Sequence, residues 1–422
     1  CQKLRRFVSP STFTTMSGTW IEGEVGFGTS CVHAGVAPDE ATGAILTPIY
    51  QATTFVQESI DKYMSKGYSY SRTTNPTVKC LEKKIADLEN GAGAVCFATG
   101  MAATVTVMSA YLQAGDHCIL TECSYGGTNR VARMQFMNFG IKFSFVDFRD
   151  PKNVEAAIIP GKTKLIYSET PANPTLTLTD LGAVSAIAKK HGVLHCCDAT
   201  FATPLMVRPL DHGCDMSLHS TTKYFDGHNM TVGGVVSSAT KEIDDRLHFV
   251  QNMHGNIMTP HSAFTTLQTC KTMHLRCERQ SQTAMKIALF LEAHPKVETV
   301  RYPGLKSFPQ KALADKQHRD GFHGGMLWCE VKGGITAGRK LMDSAQRPWS
   351  LCENLGAVES IITCPSVMTH ANMLKEDRLK VIDEHEKYIK KRHGRHGRHG
   401  SIRVDSSDTG RLERHGPTRV DS

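Results

Sequence analysis

From about residue 76 the chain alternates short apolar runs with stretches whose apolar residues recur at helical spacing, and few architectures accept that alternation. Asn75-Pro76 has the form of a helix N-cap and a first-turn proline. Val78, Leu81, Ile85 and Leu88 then share one face, and Gly91 is expected to stop the helix. Ala94–Ala98 reads as a short buried strand, followed by Thr99-Gly100-Met101 and a second helix to about Tyr111. Further strands are expected at His117–Thr121, Lys164–Ser168, Val193–Cys197, Asp215–His219 and Val232–Val236. Strands alternating with helices predict an α/β fold with a mainly parallel sheet covered on both faces. Ligands of such sheets sit beyond the carboxyl ends of the strands. From about residue 262 the pattern changes: Ser262–Ala293 reads as one long helical stretch, with Val297–Tyr302 and Gly325–Val331 as strands of a smaller α/β domain.

Charge narrows the choice of partner. The net charge of +8 is concentrated at the two ends. Residues 1–21 carry three basic residues and no acid, and residues 391–422 carry eight basic residues against four acids. Between them, 22–390 hold 38 basic and 37 acidic residues, so no nucleic-acid-binding stripe is indicated. No apolar run approaches the roughly 20 residues that span a bilayer. The fourteen cysteines include no C-x-x-C pair and several lie in apolar runs, as expected of free thiols in a reducing, cytoplasmic compartment. Residues 1–21 are basic and rich in Ser and Thr, which fits either the end of an organellar transit peptide or a leader ahead of Met16. At the other end Arg-His-Gly occurs three times over 392–400 and again at 414–416, and 398–406 nearly return as 414–422. Such low-complexity sequence buries little, so a disordered or mistranslated tail is expected there rather than a metal site.

The candidate chemistry lies at strand ends. Lys223, in His219-Ser220-Thr221-Thr222-Lys223-Tyr224, follows a strand and stands behind three hydroxyls. An amine so placed can hold an aldehyde cofactor as a Schiff base while the hydroxyls help hold its phosphate; a solvated loop lysine is the plain alternative. Asp198 ends another strand, and a carboxylate there can keep a pyridine nitrogen protonated, making the ring an electron sink. One strand separates Asp198 from Lys223, so in a parallel sheet both emerge on the same edge. Thr99-Gly100-Met101 begins a helix whose free N–H groups suit a phosphate. Arg72, in Tyr70-Ser71-Arg72, can clamp a phosphate through two parallel hydrogen bonds. Tyr125, in a glycine-rich turn after His117–Thr121, can stack on a flat cofactor.

Together with Val32-His33-Ala34-Gly35, Pro48-Ile49-Tyr50-Gln51, Asn75-Pro76-Thr77, Glu169-Thr170-Pro171-Ala172-Asn173-Pro174 and Met368-Thr369-His370-Ala371, these residues make the chain resemble the Cys/Met-metabolism, or trans-sulfuration, family of pyridoxal-phosphate enzymes, from about Thr29 to Val381. The resemblance implies a type I aminotransferase-like fold with a large PLP domain and a smaller C-terminal α/β domain, working as a homotetramer of close dimers. It divides the chain into an N-terminal extension (1–22), an arm contacting the neighbouring subunit (23–75), the PLP-binding domain (76–261), an incomplete small domain (262–381) and the tail (382–422). By the same resemblance Lys223 binds pyridoxal 5'-phosphate and shuttles protons, Asp198 pairs with the ring nitrogen, and Tyr125 stacks on the ring and protonates the leaving group. Gly100, Met101, Ser220 and Thr222 hold the phosphate, and Tyr70 and Arg72 reach the phosphate of the neighbouring subunit. Asn173, Glu353 and Asn354 are expected near the substrate. The implied reaction is γ-elimination on cystathionine or a related sulfur amino acid, most like cystathionine γ-lyase. The alternatives are γ-replacement, a methionine γ-lyase, and a cofactor-binding pseudoenzyme.

Four positions depart from the family pattern. Ala199 follows the pyridine aspartate where Asn is common. Gly127 stands where methionine γ-lyases carry a cysteine, and Asn354 stands where a serine is usual. The arginine expected to bind the substrate carboxylate has no clear counterpart: counting places it near Ile389, beside Lys390, Lys391 and Arg392, while Arg403 has a more fitting context but lies too far on.

Overall fold

The computed structural model describes residues 25–365 and 368. The N-terminal extension, the tail, and Thr369, His370, Ile389–Arg392 and Arg403 lie outside the described residues. Everything described belongs to one compact unit, residues 1–381.

Seven strands form the main sheet: β1 (Gly93–Phe97), β2 (His117–Thr121), β3 (Lys142–Val146), β4 (Thr163–Glu169), β5 (Leu194–Asp198), β6 (Met216–His219) and β7 (Gly234–Ser238), in the order β1-β7-β6-β5-β4-β2-β3. β7 runs antiparallel to both its neighbours, and the remaining pairs are parallel. The sheet is thus mainly parallel, as the apolar runs predict, with one reversed strand. Strand pleating sends successive residues to opposite faces. Val95, Phe97, Leu120, Leu165 and Tyr167 pack with Val107, Leu247 and Val250 on one side. Ala94, Cys96 and Val235 pack with Leu81, Ile85 and Leu267 on the other, and Ile119 and Ile166 with Val184. Runs buried on both faces lose the alternation of a half-exposed strand, which is why they read as continuously apolar.

Differences from the sequence reading have local causes. The helix Pro76–Glu89 ends at Asn90, which itself adopts the left-handed conformation (φ 57°), while the Gly91 N–H donates to the Ala86 carbonyl. Asparagine tolerates this conformation better than most residues. The stretch after 260 is two helices, Pro260–Cys270 and Met273–Glu292, broken at Lys271-Thr272 without glycine or proline. β3 was not among the expected strands; it is an edge strand with one partner and half-exposed phenylalanines. Leu267 and Cys270 join the core under Leu81 and Ile85, so the large core extends past residue 261. A second core, including Ala284, Ala288, Val300, Tyr302 and Phe308, lies at the antiparallel pair β8 (Val297–Arg301) and β9 (Trp328–Val331). A short parallel pair, β10 (Trp349–Leu351) and β11 (Ser360–Ile362), completes the sheets.

Two of the quoted motifs pin the N-terminal arm. The Asn75 Oδ1 accepts from the Thr77 N–H (3.0 Å), while its Nδ2 donates to the Tyr50 carbonyl (2.9 Å) and to Ser71 Oγ (3.0 Å). Thr77 Oγ1 donates to the Pro48 carbonyl (2.8 Å) and accepts from the Tyr50 N–H (2.9 Å). Gly35 sits at φ 67°, and a Cβ there would lie 2.5 Å from the Cys80 carbonyl oxygen, so only glycine lets the arm lie against this helix. Replacing Asn75 by alanine removes a cap and two anchors of the arm. The expected loss is about 1–2 kcal/mol of stability in urea unfolding, with faster proteolysis between residues 45 and 74.

Candidate active site

β4, β5 and β6 end side by side, and their carboxyl ends carry Glu169, Asp198 and His219. Glu169 and Asp198 are register partners on adjacent strands, both buried. Asp198 Oδ1 accepts from the Thr200 N–H (3.0 Å) and hydroxyl (2.6 Å), and Thr200 Oγ1 in turn accepts from the Ser220 N–H (2.9 Å). The aspartate is thereby tied to the segment that bears Lys223. Burial raises the Asp198 pKa, against the Thr200 hydrogen bonds, the charge of His219 and the Tyr167 hydroxyl. Glu169 is pushed up to about 8, first by burial and then by the Asp198 charge; the Asn173 and Tyr125 N–H groups pull the other way.

Lys223 is largely buried, and its Nζ donates to Asn354 Oδ1 at 2.7 Å. Burial lowers its affinity for a proton, partly offset by the charge of Glu353. Asn354 Nδ2 donates to Asn229 Oδ1, and Asn229 Nδ2 to Glu359 Oε2 (2.8 Å). The turn holding the lysine is braced from below. The Gly227 N–H donates to the Lys223 carbonyl (2.7 Å), and Arg276 Nη1 donates to the Tyr224 carbonyl (2.9 Å). A Cβ on Gly227, which has φ 63°, would fall 2.0 Å from that Nη1. Asp226 Oδ2 accepts the His228 and Met230 N–H groups at 3.2 and 2.9 Å.

The expected anion cradle has a defined shape. Thr99 caps the helix Gly100–Tyr111 by accepting from the Ala102 N–H, which leaves the first-turn N–H groups of Gly100 and Met101 outside the helical ladder. A Cβ on Gly100 would lie 2.8 Å from Ser220 Cβ, so the helix start and the lysine segment meet there. Thr222 Oγ1 accepts from the Gly233 N–H (3.0 Å) and donates to its carbonyl (3.3 Å); Ser220 Oγ reaches the same carbonyl at 3.5 Å. A Cβ on Gly127 would lie 2.5 Å from the Tyr125 ring and 2.8 Å from Met101 Sδ, which places the tyrosine beside the same helix start.

The structure therefore brings Lys223 to Asn354, Asp198 to Ser220 through Thr200, Gly100 to Ser220, and Tyr125 to Met101. The Tyr125 N–H and the Asn173 N–H meet at Glu169. Tyr70 and Arg72 stand apart and exposed, the guanidinium 5.6 Å from the tyrosine ring centroid. Glu353 is exposed beside the lysine mouth. Sequence reading passed over Glu169, Thr200, Tyr167, Asp226 and Arg276. Glu169 stood inside a quoted string, but nothing in a string says which backbone groups a carboxylate will reach. Among the described residues no cluster of three or more potential metal ligands occurs, and no helix is long and apolar enough to cross a membrane.

A pH dependence follows from Glu169. Its folded pKa lies above the ordinary glutamate value of 4.5, so the folded state binds the extra proton and stability falls as pH rises from about 4.5 towards about 8. The stability of the unliganded wild type relative to Glu169→Gln should therefore decline across that window. Urea unfolding of both proteins at pH 5 and pH 8 checks the sign; a difference that grows with pH would refute it.

Comparison with known proteins accords with this geometry. The family model described as Cys/Met metabolism PLP-dependent enzyme matches residues 28–386. A cystathionine beta-lyase of Coxiella burnetii is 42% identical over 355 residues, covering 84% of this chain and 90% of the relative. A cystathionine gamma-lyase of Bacillus subtilis is 44% identical over 353 residues, covering 84% and 91%. The crystal structure of a cystathionine gamma synthase from Xanthomonas oryzae pv. oryzae, in complex with aminoacrylate and cysteine, superposes with a TM-score of 0.81 at 37% identity, covering 85% of this chain and 91% of that one.

Proposed function

The chain belongs to the family of PLP-dependent enzymes of Cys/Met metabolism, and on that premise we propose that it is a carbon–sulfur lyase of trans-sulfuration, acting by γ-elimination on cystathionine or a related sulfur amino acid. The observation that carries this reading is the buried Lys223 amine, drawn towards its neutral form and hydrogen-bonded to Asn354, on a segment tied to Asp198.

The residues fit pyridoxal phosphate. Gly100 lets the helix start approach Ser220 closer than any Cβ would allow, two N–H groups begin that helix outside its ladder, and the buried Thr221 hydroxyl lacks a hydrogen-bond partner in the same segment. When bound, the cofactor supplies an aldehyde for an amine and a ring that draws electrons from the substrate Cα. Asp198 would hold the proton on the ring nitrogen, since a buried carboxylate next to a cation is stabilised in its charged form. Lys223 Nζ, once free and neutral, takes the Cα proton and then a Cβ proton, whose bonding pair expels the sulfur from Cγ. The Tyr125 hydroxyl gives a proton to the departing sulfur. The Asn173 and Asn354 carboxamides orient the substrate, and Gly100, Met101, Ser220 and Thr222 hold the phosphate. Tyr70 and Arg72 serve the site of a second copy; the exposed apolar side chains of Val56, Ile60 and Tyr63 on the same arm support such a contact, and a tetramer built from close dimers. Free thiols throughout the described residues support a reducing, cytoplasmic setting.

γ-Replacement is the second reading, favoured by the likeness to the Xanthomonas synthase. It uses the same residues and differs in the nucleophile admitted after elimination. Gly127, with no thiol and no room for a Cβ beside Tyr125, speaks against a methionine γ-lyase.

Purified protein supplied with pyridoxal phosphate should show an absorbance band at about 420 nm that is lost in Lys223→Ala. Cystathionine should then yield cysteine and a keto acid. A band that no sulfur amino acid perturbs would sink the lyase reading in favour of a cofactor-binding shell, and incorporation of an added thiol would mark replacement. Gly100→Ala, which forces the helix start away from Ser220, should weaken cofactor binding by roughly tenfold, or ~1.4 kcal/mol, in a fluorescence titration.

A further inference from the structure

Glu169 occupies a costly place. It is buried beside a second buried carboxylate on the neighbouring strand, and like charges so close cannot both ionise cheaply. A residue without a titrating proton would suit the fold better, so the position calls for what only a carboxyl group provides, an acceptor oxygen on each side. Its two oxygens do separate work. Oε2 accepts the Tyr125 N–H at 2.8 Å, and Oε1 accepts the Asn173 N–H at 2.8 Å. Neither donor has a strand partner. Tyr125 precedes the short helix Gly126–Val131, where N–H groups lack intrahelical acceptors, and Asn173 lies in a turn between Pro171 and Pro174, which have no N–H to offer.

We propose that Glu169 is a positioning residue for the reaction: one rigid carboxyl group, its two oxygens accepting both N–H groups at once, sets the spacing between Tyr125 on the cofactor side and Asn173 on the substrate side. This rests on the functional reading above. The chemistry behind it is simple. A glutamine has one oxygen and one NH₂, so it can accept from one N–H and opposes a donor to the other. An aspartate keeps both oxygens but is one methylene short. Each substitution uncouples the two loops without removing either side chain that touches cofactor or substrate.

The test compares Glu169→Gln and Glu169→Asp with wild type as full-length protein, each alone and combined with Tyr125→Phe. Stability of the unliganded proteins is read by urea unfolding, the cofactor's surroundings by circular dichroism of the visible band, and turnover by kcat and KM for cystathionine. If Glu169 positions, Glu169→Gln still folds, the dichroic band falls by about half or more, kcat falls roughly tenfold to a hundredfold, and KM rises severalfold. Tyr125→Phe then costs far less in the Glu169→Gln background than in wild type, because the ring is already displaced. An unchanged dichroic band, or fully additive effects of the two substitutions, overturns the proposal. Should Glu169→Gln fail to fold, Glu169→Asp decides by the same readouts. If wild type binds the cofactor without turning over cystathionine, the functional reading fails while the dichroic comparison still judges Glu169.

Discussion

Two acids buried side by side at the carboxyl ends of β4 and β5 impose a constraint that much of the surrounding polar structure answers. Neither Asp198 nor Glu169 can be left without donors, because an unpaired buried carboxylate costs several kcal/mol. The donors come from three of the segments that shape the site: Thr200 after β5, the Tyr125 turn after β2, and the Asn173 turn after β4. Satisfying the acids therefore fixes the loops. The segment after β6 is drawn in at one remove, through Thr200 Oγ1 and the Ser220 N–H. The arrangement is a network, and such networks specify one geometry only when every member is bonded.

The same segment is held a second time from the solvent side. Asn354 takes the Lys223 amine, Asn229 takes Asn354, and Glu359 takes Asn229. These residues come from the lysine turn itself and from the stretch between β10 and β11. The amine thus reports on packing far away in sequence, and the asparagine standing where the family usually has serine is long enough to make both contacts.

Much of the architecture was legible because burial on both faces leaves a strong mark: β2, β4 and β5 carry consecutive apolar residues (Cys118-Ile119-Leu120, Leu165-Ile166-Tyr167 and Cys196-Cys197), and the Asn75-Pro76 cap announces its helix. Lys223 and Asp198 could be placed on one edge because parallel strands emit their loops on the same side. What stayed hidden was set by contacts rather than by composition. β3 alternates on a half-exposed edge, the break at Lys271-Thr272 carries no helix-breaking residue, and Asn90 does a turn's work usually given to glycine. The role of Glu169 depends on two peptide N–H groups four and forty-four residues away, and no motif encodes that convergence.

The reversed strand β7 has a mechanical consequence. A βα crossover carries the chain away from the edge where its loop begins and brings it back at the opposite end of the sheet. Because β7 lies beside β6 and runs against it, the connection from Ser220 to Gly233 starts and finishes at one edge, like the bight of a rope made fast at both ends. Thr222 cross-lashes it by bonding to Gly233, the residue just before β7 begins. The lysine is therefore carried on a span clamped at two points, and can reach and withdraw along its own side chain while its backbone stays where the sheet has put it.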